Sequence, residues 1–496
     1  MLDTTFAGRY AIVAPPPTPN GDLHVGHIAG PYFGADVLRR YLKLRGQTAV
    51  CALSVDLNQS YVVTTAERLR TDPITLARRS HDEISKTLGM SGIEFDVVGM
   101  PDADYGSYVS DWFKDLYASG ALEKQTRAVP FDPERQRFLF ESYASGRCPT
   151  CLAGTNGNIC EACGHPNDAL DLFGLYPTGG MAGDALETRE ITEYVLPLEN
   201  YRDMLWEHLT RHIPERRPML RRLIGELFAR PLPDFPVTFN SDWGQAAPFP
   251  GAEGSVINVW AEMVPGHYYW LSQAHGRDGG MLKDDGATSY VQFLGFDNSF
   301  FYCVAQLALA LAARRAGMDH LLPDAFVTNE FYLMENFKFS TSQGHLIWAR
   351  DMLAEADRDE LRFYLAWSNP EYNQANFTVA DFEKVVDKKL RRPFAALFAD
   401  LPVTGAVDPG SREAGAVLDR FASAYQPEHF SLRTVAQTIA NGLDFALASD
   451  GPRRTEIAAA LAVGMAPIMP DTAARLWAAC GQNGPLAWPE RSAEVA

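Results

Sequence analysis

The sequence predicts an α/β chain made of a parallel sheet, an inserted cysteine-bearing domain and a C-terminal bundle of helices. Three observations carry this. Two apolar runs near the N-terminus flank a segment with helical spacing. Polar, turn-rich sequence holding paired cysteines then interrupts the pattern, and beyond about residue 385 the chain is rich in Ala and Leu at helical spacing.

Arg9 to Ala14 is a short apolar run stopped by Pro15, Pro16 and Pro17, which reads as a buried strand entering a rigid loop. After His27 the residues Ile28, Tyr32, Val37, Leu38, Tyr41 and Leu42 recur at helical spacing, with Gly46 as the stop. Thr48 to Val55 is a second apolar strand. Strand, helix and strand make a βαβ unit, whose ligand site lies at the carboxyl ends of the strands, where the loop from Pro15 to His27 falls. From about residue 121 to 165 the sequence is polar and turn-rich, and helices are expected from there to about 230. Ser255 to Trp260 and Ser289 to Gly295 read as strands of a second sheet half. The apolar run from Phe300 to Ala313 is too short to span a bilayer and reads as a buried helix.

At 496 residues the chain should hold roughly three domains. The composition, 46% hydrophobic and 21% charged, is that of an ordinary globular protein rather than a disordered or membrane chain. A formal net charge of −18 gives no global field for nucleic acid, so any RNA contact needs a local basic patch. The N-terminus lacks the pattern of a secretory signal. Four of the seven cysteines form two CxxC pairs and the others stand singly in apolar surroundings, which suits a reducing cytoplasm with one metal site and no membrane association.

Three groups of residues carry chemistry. His24 and His27 flank Gly26 where a strand gives way to a helix, and two imidazoles with a helix N-terminus can donate to phosphate oxygens while Gly26 permits close approach. An ordinary helix start or a weak metal pair is the competing reading. Cys148, Cys151, Cys160 and Cys163 match tetrahedral zinc, structural because four thiolates leave no open position, with two disulfides as the alternative. Asp56 ends the second strand, a carboxylate at a strand's carboxyl end that by itself reads as a turn cap.

The string from Pro15 through Asn20 to His27 (PPPTPNGDLHVGH) resembles the HIGH signature of class I aminoacyl-tRNA synthetases, and the cysteine knuckle after it resembles the methionyl branch of that family. The resemblance runs from about Arg9 to Phe394. It implies a Rossmann-type catalytic domain, with its first half at 1–120 and its second at 236–330. It further implies an inserted domain at 121–235 holding the knuckle at 148–163, a loop and stem-contact-like region at 331–385, and a degenerate anticodon-binding-like domain at 386–496. It implies ATP with Mg2+, a structural Zn2+ and an amino acid as ligands. By the same resemblance His24 and His27 hold the α-phosphate, and Asn20, Gly26, Gly295 and Asp297 contribute to the ATP site. Lys338, Ser340, Thr341 and Ser342 stand where the family has its KMSKS loop. Asp56 would take the ammonium group, and Pro16, Thr18, Trp260, His267 and Tyr302 would shape the amino-acid pocket.

The departures are concentrated. Pro16, Thr18, His267 and Tyr302 replace residues that shape the methionine pocket, which favours a different amino acid, a small one such as glycine, Tyr302 being bulky. Phe239, Phe296 and Thr341 stand where the family has catalytic cations. Asp387 and Arg392 replace anticodon-reading asparagines, and Leu443 to Pro452 lacks the family's stacking tryptophan. The expected activity is therefore adenylate formation. Transfer to a small amine, hydroxylamine or hydroxyl acceptor is preferred to transfer to tRNA. An authentic methionyl-tRNA synthetase is the alternative, and an inactive binding module is a third reading.

Overall fold

The computed structural model describes residues 8–181, 183–213, 217–276, 282–283, 286–338, 346–401 and 411–489. Its centre is a five-stranded sheet: β1 (Arg9–Val13), β2 (Thr48–Ser54), β3 (Val97–Gly99), β4 (Thr288–Gly295) and β5 (Ala325–Asn329). The spatial order is β5-β4-β1-β2-β3 and every pairing is parallel. β1 and β2 are near-continuous apolar runs because both faces of a parallel sheet are covered. Alternation divides them between two cores. Tyr10, Ile12, Cys51 and Leu53 pack with Phe33, Leu38 and the C-terminal helices, while Ala11, Val13, Val50 and Ala52 pack with Trp112, Tyr268 and Phe301.

The chain runs from β1 outward to β2 and β3, then returns to the far side of β1 as β4. The order therefore reverses between β1 and β4, and a crevice opens at their carboxyl ends. The helix expected after His27 is present, but not as one rod. Val25–His27 forms a single turn, Gly30 breaks the helical backbone (φ −90°, ψ −132°), and the regular helix is Phe33–Leu44. Gly46, at φ +72°, ends the turn that follows.

Between β3 and β4 the cysteine-rich stretch is less irregular than its polar sequence implies. Glu123–Asp132 pairs with Glu187–Pro197, and Ala144–Arg147 pairs with Gly154–Asn156 and Phe173–Pro177, all antiparallel. The expected helices follow as Arg202–His212 and Pro218–Phe228. The strand expected from Ser255 to Trp260 is shorter and lies elsewhere. Ser255–Ile257 pairs antiparallel with Thr238–Asn240 outside the main sheet. The Asn258 side chain accepts from the Trp260 backbone N–H and so starts the helix Val259–His275, leaving Trp260 in its first turn. The second sheet half is thus β4 and β5 alone.

The apolar run after Phe300 is a buried helix, as expected. The stretch Phe296–Arg315 is the one helix among the described residues long and apolar enough to cross a membrane, and 89% of its most apolar window is buried inside the protein. At the C-terminus Arg412–Tyr425, Leu432–Ala448, Gly451–Met465 and Pro470–Ala479 pack together. Arg362 joins this bundle to the sheet domain. Its buried guanidinium bonds Asp36 at 2.8 Å and the carbonyls of Ser91, Gly92, Pro467 and Ile468.

Candidate active site

Two adjoining concave features lie at the carboxyl ends of β1, β2 and β4. A cleft of about 580 Å³ is lined by Pro16, Thr18, His24, Gly26, His27 and Asp56 from the N-terminal segment, and by Trp260, Met263, Gly295, Phe296 and Asp297 from the second half. A chamber of about 730 Å³ shares Thr18, His24, His27, Tyr61, Asn156 and Glu161 with it and adds Asn20, Arg68, Arg135 and Arg137. Residues separated by more than two hundred positions therefore meet at one crevice, which is what the reversal between β1 and β4 creates.

The two histidines are built into each other. Backbone N–H of His27 donates to Nδ1 of His24 (3.2 Å), and backbone N–H of His24 donates to Nδ1 of His27 (3.3 Å). The rings stack with centroids 3.6 Å apart, 14° from parallel. With both Nδ1 atoms accepting, the neutral imidazoles carry their protons on Nε2, so each ring can donate outward. This revises the expectation of bare helix N–H groups facing phosphate. The imidazoles themselves take up two of those donors, and the donors they can offer to the cleft are the side-chain Nε2–H groups.

On the sheet side, Asp297 follows β4 directly in a single 3-10 turn. A Cβ on Gly295 would stand 2.7 Å from Asp297 Oδ1, so a larger residue there would make that carboxylate shift. Asp56 follows β2 and is 6% exposed, its carboxylate accepting from Gln59 Nε2 at 3.3 Å. Burial, and then the carboxylates of Glu262 and Glu141, push the Asp56 carboxyl well above its ordinary value. Glu262 is itself pushed up to about 7 by burial, against hydrogen bonds from Asn58 and Tyr105. Glu141, pushed up to about 7 by burial against hydrogen bonds from Ser60 and Trp260, accepts from Ser60 Oγ at 2.9 Å. No lysine or arginine is among the described residues lining the main cleft. Asp56, Glu141 and Glu262 thus crowd together, an arrangement suited to a ligand that brings its own positive charge.

The remaining expected residues fall in several places. Trp260 walls the cleft and stacks on Phe301 with centroids 4.0 Å apart. His267 and Tyr302 stand behind Met263, lining voids of about 10 Å³ rather than the cleft itself. Asn20 belongs to the adjoining chamber, where Nδ2 reaches Thr65 Oγ1 at 3.4 Å. Phe239 is buried against Phe140, away from the main cleft. The backbone of Lys338 ends a short strand paired with Tyr332–Met334. Ser340, Thr341 and Ser342 lie outside the described residues.

Glu141, Glu262 and Met263 were not anticipated. A signal existed for Glu262, a single carboxylate within the apolar segment from Val256 to Val264. Glu141 had none, because it sits in the inserted domain and meets Asp56 only through the fold.

The four cysteines converge. Their sulfurs all lie within 4.8 Å of one another, with Cys148–Cys163 at 3.8 Å and Cys151–Cys160 at 3.5 Å. Tetrahedral zinc with sulfurs at about 2.3 Å requires edges of about 3.8 Å, so the donor set and its spacing both fit. The backbone N–H of Thr150 donates to Cys148 Sγ at 3.3 Å, a bond that favours thiolate. Disulfides were the alternative, and all four cysteines are free.

Comparison with known proteins places this geometry in context. Residues 10–399 match the family described as tRNA synthetases class I (M). A methionine–tRNA ligase of Porphyromonas gingivalis is 31% identical over 386 residues, covering 77% of this chain and 56% of that protein. The chain therefore spans little more than half of that relative's length. A methionine–tRNA ligase of Thermomicrobium roseum is 31% identical over 433 residues, covering 83% of this chain and 72% of that protein. Among solved structures, a Mycobacterium tuberculosis methionyl-tRNA synthetase bound by methionyl-adenylate is similar in fold, with a TM-score of 0.70 at 16% identity over 98% of this chain and 99% of that one.

Proposed function

Because the chain belongs to the class I (M) tRNA synthetase family, we propose that it activates an amino acid with ATP, forming an aminoacyl-adenylate and pyrophosphate as a ligase. The observation that carries this is the meeting of the reciprocally bonded His24–His27 pair, Asp56 and Asp297 in one cleft. A carboxylate oxygen of the amino acid attacks the α-phosphorus, the bond to the β-phosphate oxygen breaks, and pyrophosphate leaves with the electron pair. Nε2–H of His24 and His27 would hold the α-phosphate oxygens as charge builds there. Asp297 would accept from the ribose hydroxyls, with Gly26 and Gly295 allowing close approach, and Asn20 would support the loop. Asp56 would take the ammonium group, which neutralises the carboxylate nest. Lys338 and the segment from Ser340 to Ser342 would meet the leaving pyrophosphate.

The triphosphate enters an acid-lined cleft, so a divalent ion such as Mg2+ must travel with it; when bound it screens the phosphate charge. The four cysteines would hold a structural zinc that fixes the inserted domain beside the cleft, since they leave no open coordination position. The domain limits read from the sequence stand as the proposed organisation, and the free thiols fit a reducing cytoplasm.

For the acceptor, the relatives' names favour tRNA and methionine over the small nucleophile expected from the sequence. One observation supports the second reading. The basic cluster at 384–392 is partly tied down, with Arg391 paired to Glu360 and Glu383, and Arg392 to Asp387. The test is amino-acid-dependent exchange of labelled pyrophosphate into ATP over a panel of amino acids, followed by charging of bulk tRNA. Exchange with at least one amino acid is expected, and none at all would refute adenylate formation. Charging of tRNA would decide for the relatives' acceptor, and exchange without charging for the small nucleophile.

A further inference from the structure

The amino-acid end of the cleft is closed from inside. Met263, one turn along the helix from Val259, lines the cleft together with Asp56 and Trp260, yet is itself only 6% exposed. Its Sδ lies 3.9 Å from the Tyr302 hydroxyl and 3.6 Å from Gln306 Nε2, and Gln306 Nε2 also bonds the Trp260 carbonyl at 3.1 Å. A thioether thus stands at the blind end of the pocket with two polar hydrogens directed at its sulfur. The voids beside it, one lined by Gly266 and His267 and the other by His267 and Tyr302, are each about 10 Å³, the space of a single water. Trp260, stacked on Phe301, cannot swing aside without losing that contact.

We infer that Met263 is the specificity-determining residue. Its side chain occupies the place that a long substrate side chain would need, and so limits the activated amino acid to small ones, glycine or alanine. The inference rests on reading the cleft as an adenylate-forming site with the ammonium at Asp56. Asp56 and Met263 line the same cleft, so a side chain extending from a substrate anchored at Asp56 would compete with Met263 for that space. An interior packed this closely does not yield that space without cost.

Equilibrium binding of two non-reactive adenylate mimics, glycyl- and methionyl-sulfamoyladenosine, tests this on the full chain without requiring catalysis. The wild type should bind the glycyl compound at least about tenfold more tightly than the methionyl compound. Met263→Ala should shift that ratio toward the methionyl compound by about tenfold or more, and Met263→Leu, which keeps the volume and loses the sulfur, should retain the wild-type preference. Equal wild-type binding of the two compounds would overturn the inference, even if the alanine variant fails to fold. So would an unchanged ratio in a folded alanine variant. Discrimination without any pyrophosphate exchange would sink the adenylation reading alone, whereas binding of neither compound would sink both.

Discussion

Asp56→Asn tests the site most directly, because it should move function and stability in opposite directions. The carboxylate is buried, accepts from Gln59 Nε2, and stands near two other buried carboxylates. A substrate ammonium would be its natural counter-charge. Removing one partner of a buried ion pair costs about 3–5 kcal/mol, and because asparagine keeps one acceptor oxygen the lower end, about 3 kcal/mol, is expected. That corresponds to roughly a hundredfold loss in kcat/KM for the amino acid. The KM for ATP should change by less than about twofold, since the ammonium site serves the other substrate. Without substrate the same variant should be more stable than the wild type. Burial and the neighbouring Glu262 and Glu141 raise the Asp56 pKa, so its ionised form opposes folding near neutral pH. The gain should shrink as pH falls and vanish about one unit below the ordinary carboxyl value of 3.8, where the group is protonated in both states. Pyrophosphate exchange measures the first effect and calorimetric melting the second. An unchanged amino-acid KM, or a variant less stable than the wild type at pH 8, would refute the reasoning.

Three further outcomes are expected. Glu141 and Glu262 hold protons up to about pH 7 when folded but only to about 4.5 when unfolded, so the folded state binds more protons in that window and stability falls as pH rises through it. The loss is at most about 3 kcal/mol per group, and in melting curves taken without substrate Glu141→Gln should flatten the decline between pH 5 and 7.5. Arg362→Met should destabilise by about 3–5 kcal/mol in denaturant titration, because Oδ2 of the buried Asp36 loses its guanidinium while Arg40 and the Glu94 backbone N–H hold Oδ1, and four backbone carbonyls lose a donor. Purified protein should contain zinc by elemental analysis. Cys160→Ser or chelation should remove it and open the segment around Ala144–Arg147 and Phe173–Pro177 to proteolysis, and a zinc-free wild type that resists proteolysis would contradict the site.

The strands were legible in the sequence where burial on both faces leaves an unbroken apolar run, as at Arg9–Val13 and Thr48–Ser54. The segment from Ser255 to Trp260 was not, because its apolar run continues across a boundary set by one side chain. Asn258 caps the next helix, and periodicity over so short a stretch does not reveal a cap. His24, His27 and the four cysteines could be found because their chemistry is written in local spacing. Phe239 was noticed for the cation it replaces, yet it lies buried against Phe140 rather than lining the cleft.

By itself the sequence determined the parallel sheet, the cysteine cluster and the position of the histidine segment at a strand's carboxyl end, since each depends on residues close together in the chain. Only the tertiary structure decided that Nδ1 of each histidine is spent on the other's backbone. It also decided that Glu141 and Glu262 crowd Asp56 and that Met263 closes the pocket in front of Tyr302. The carboxylate and Met263 contacts span long sequence separations, and even the histidine pair depends on a turn that spacing alone does not reveal. They arise from burial and packing, and the local pattern of apolar and polar residues carries no record of which distant side chain will arrive.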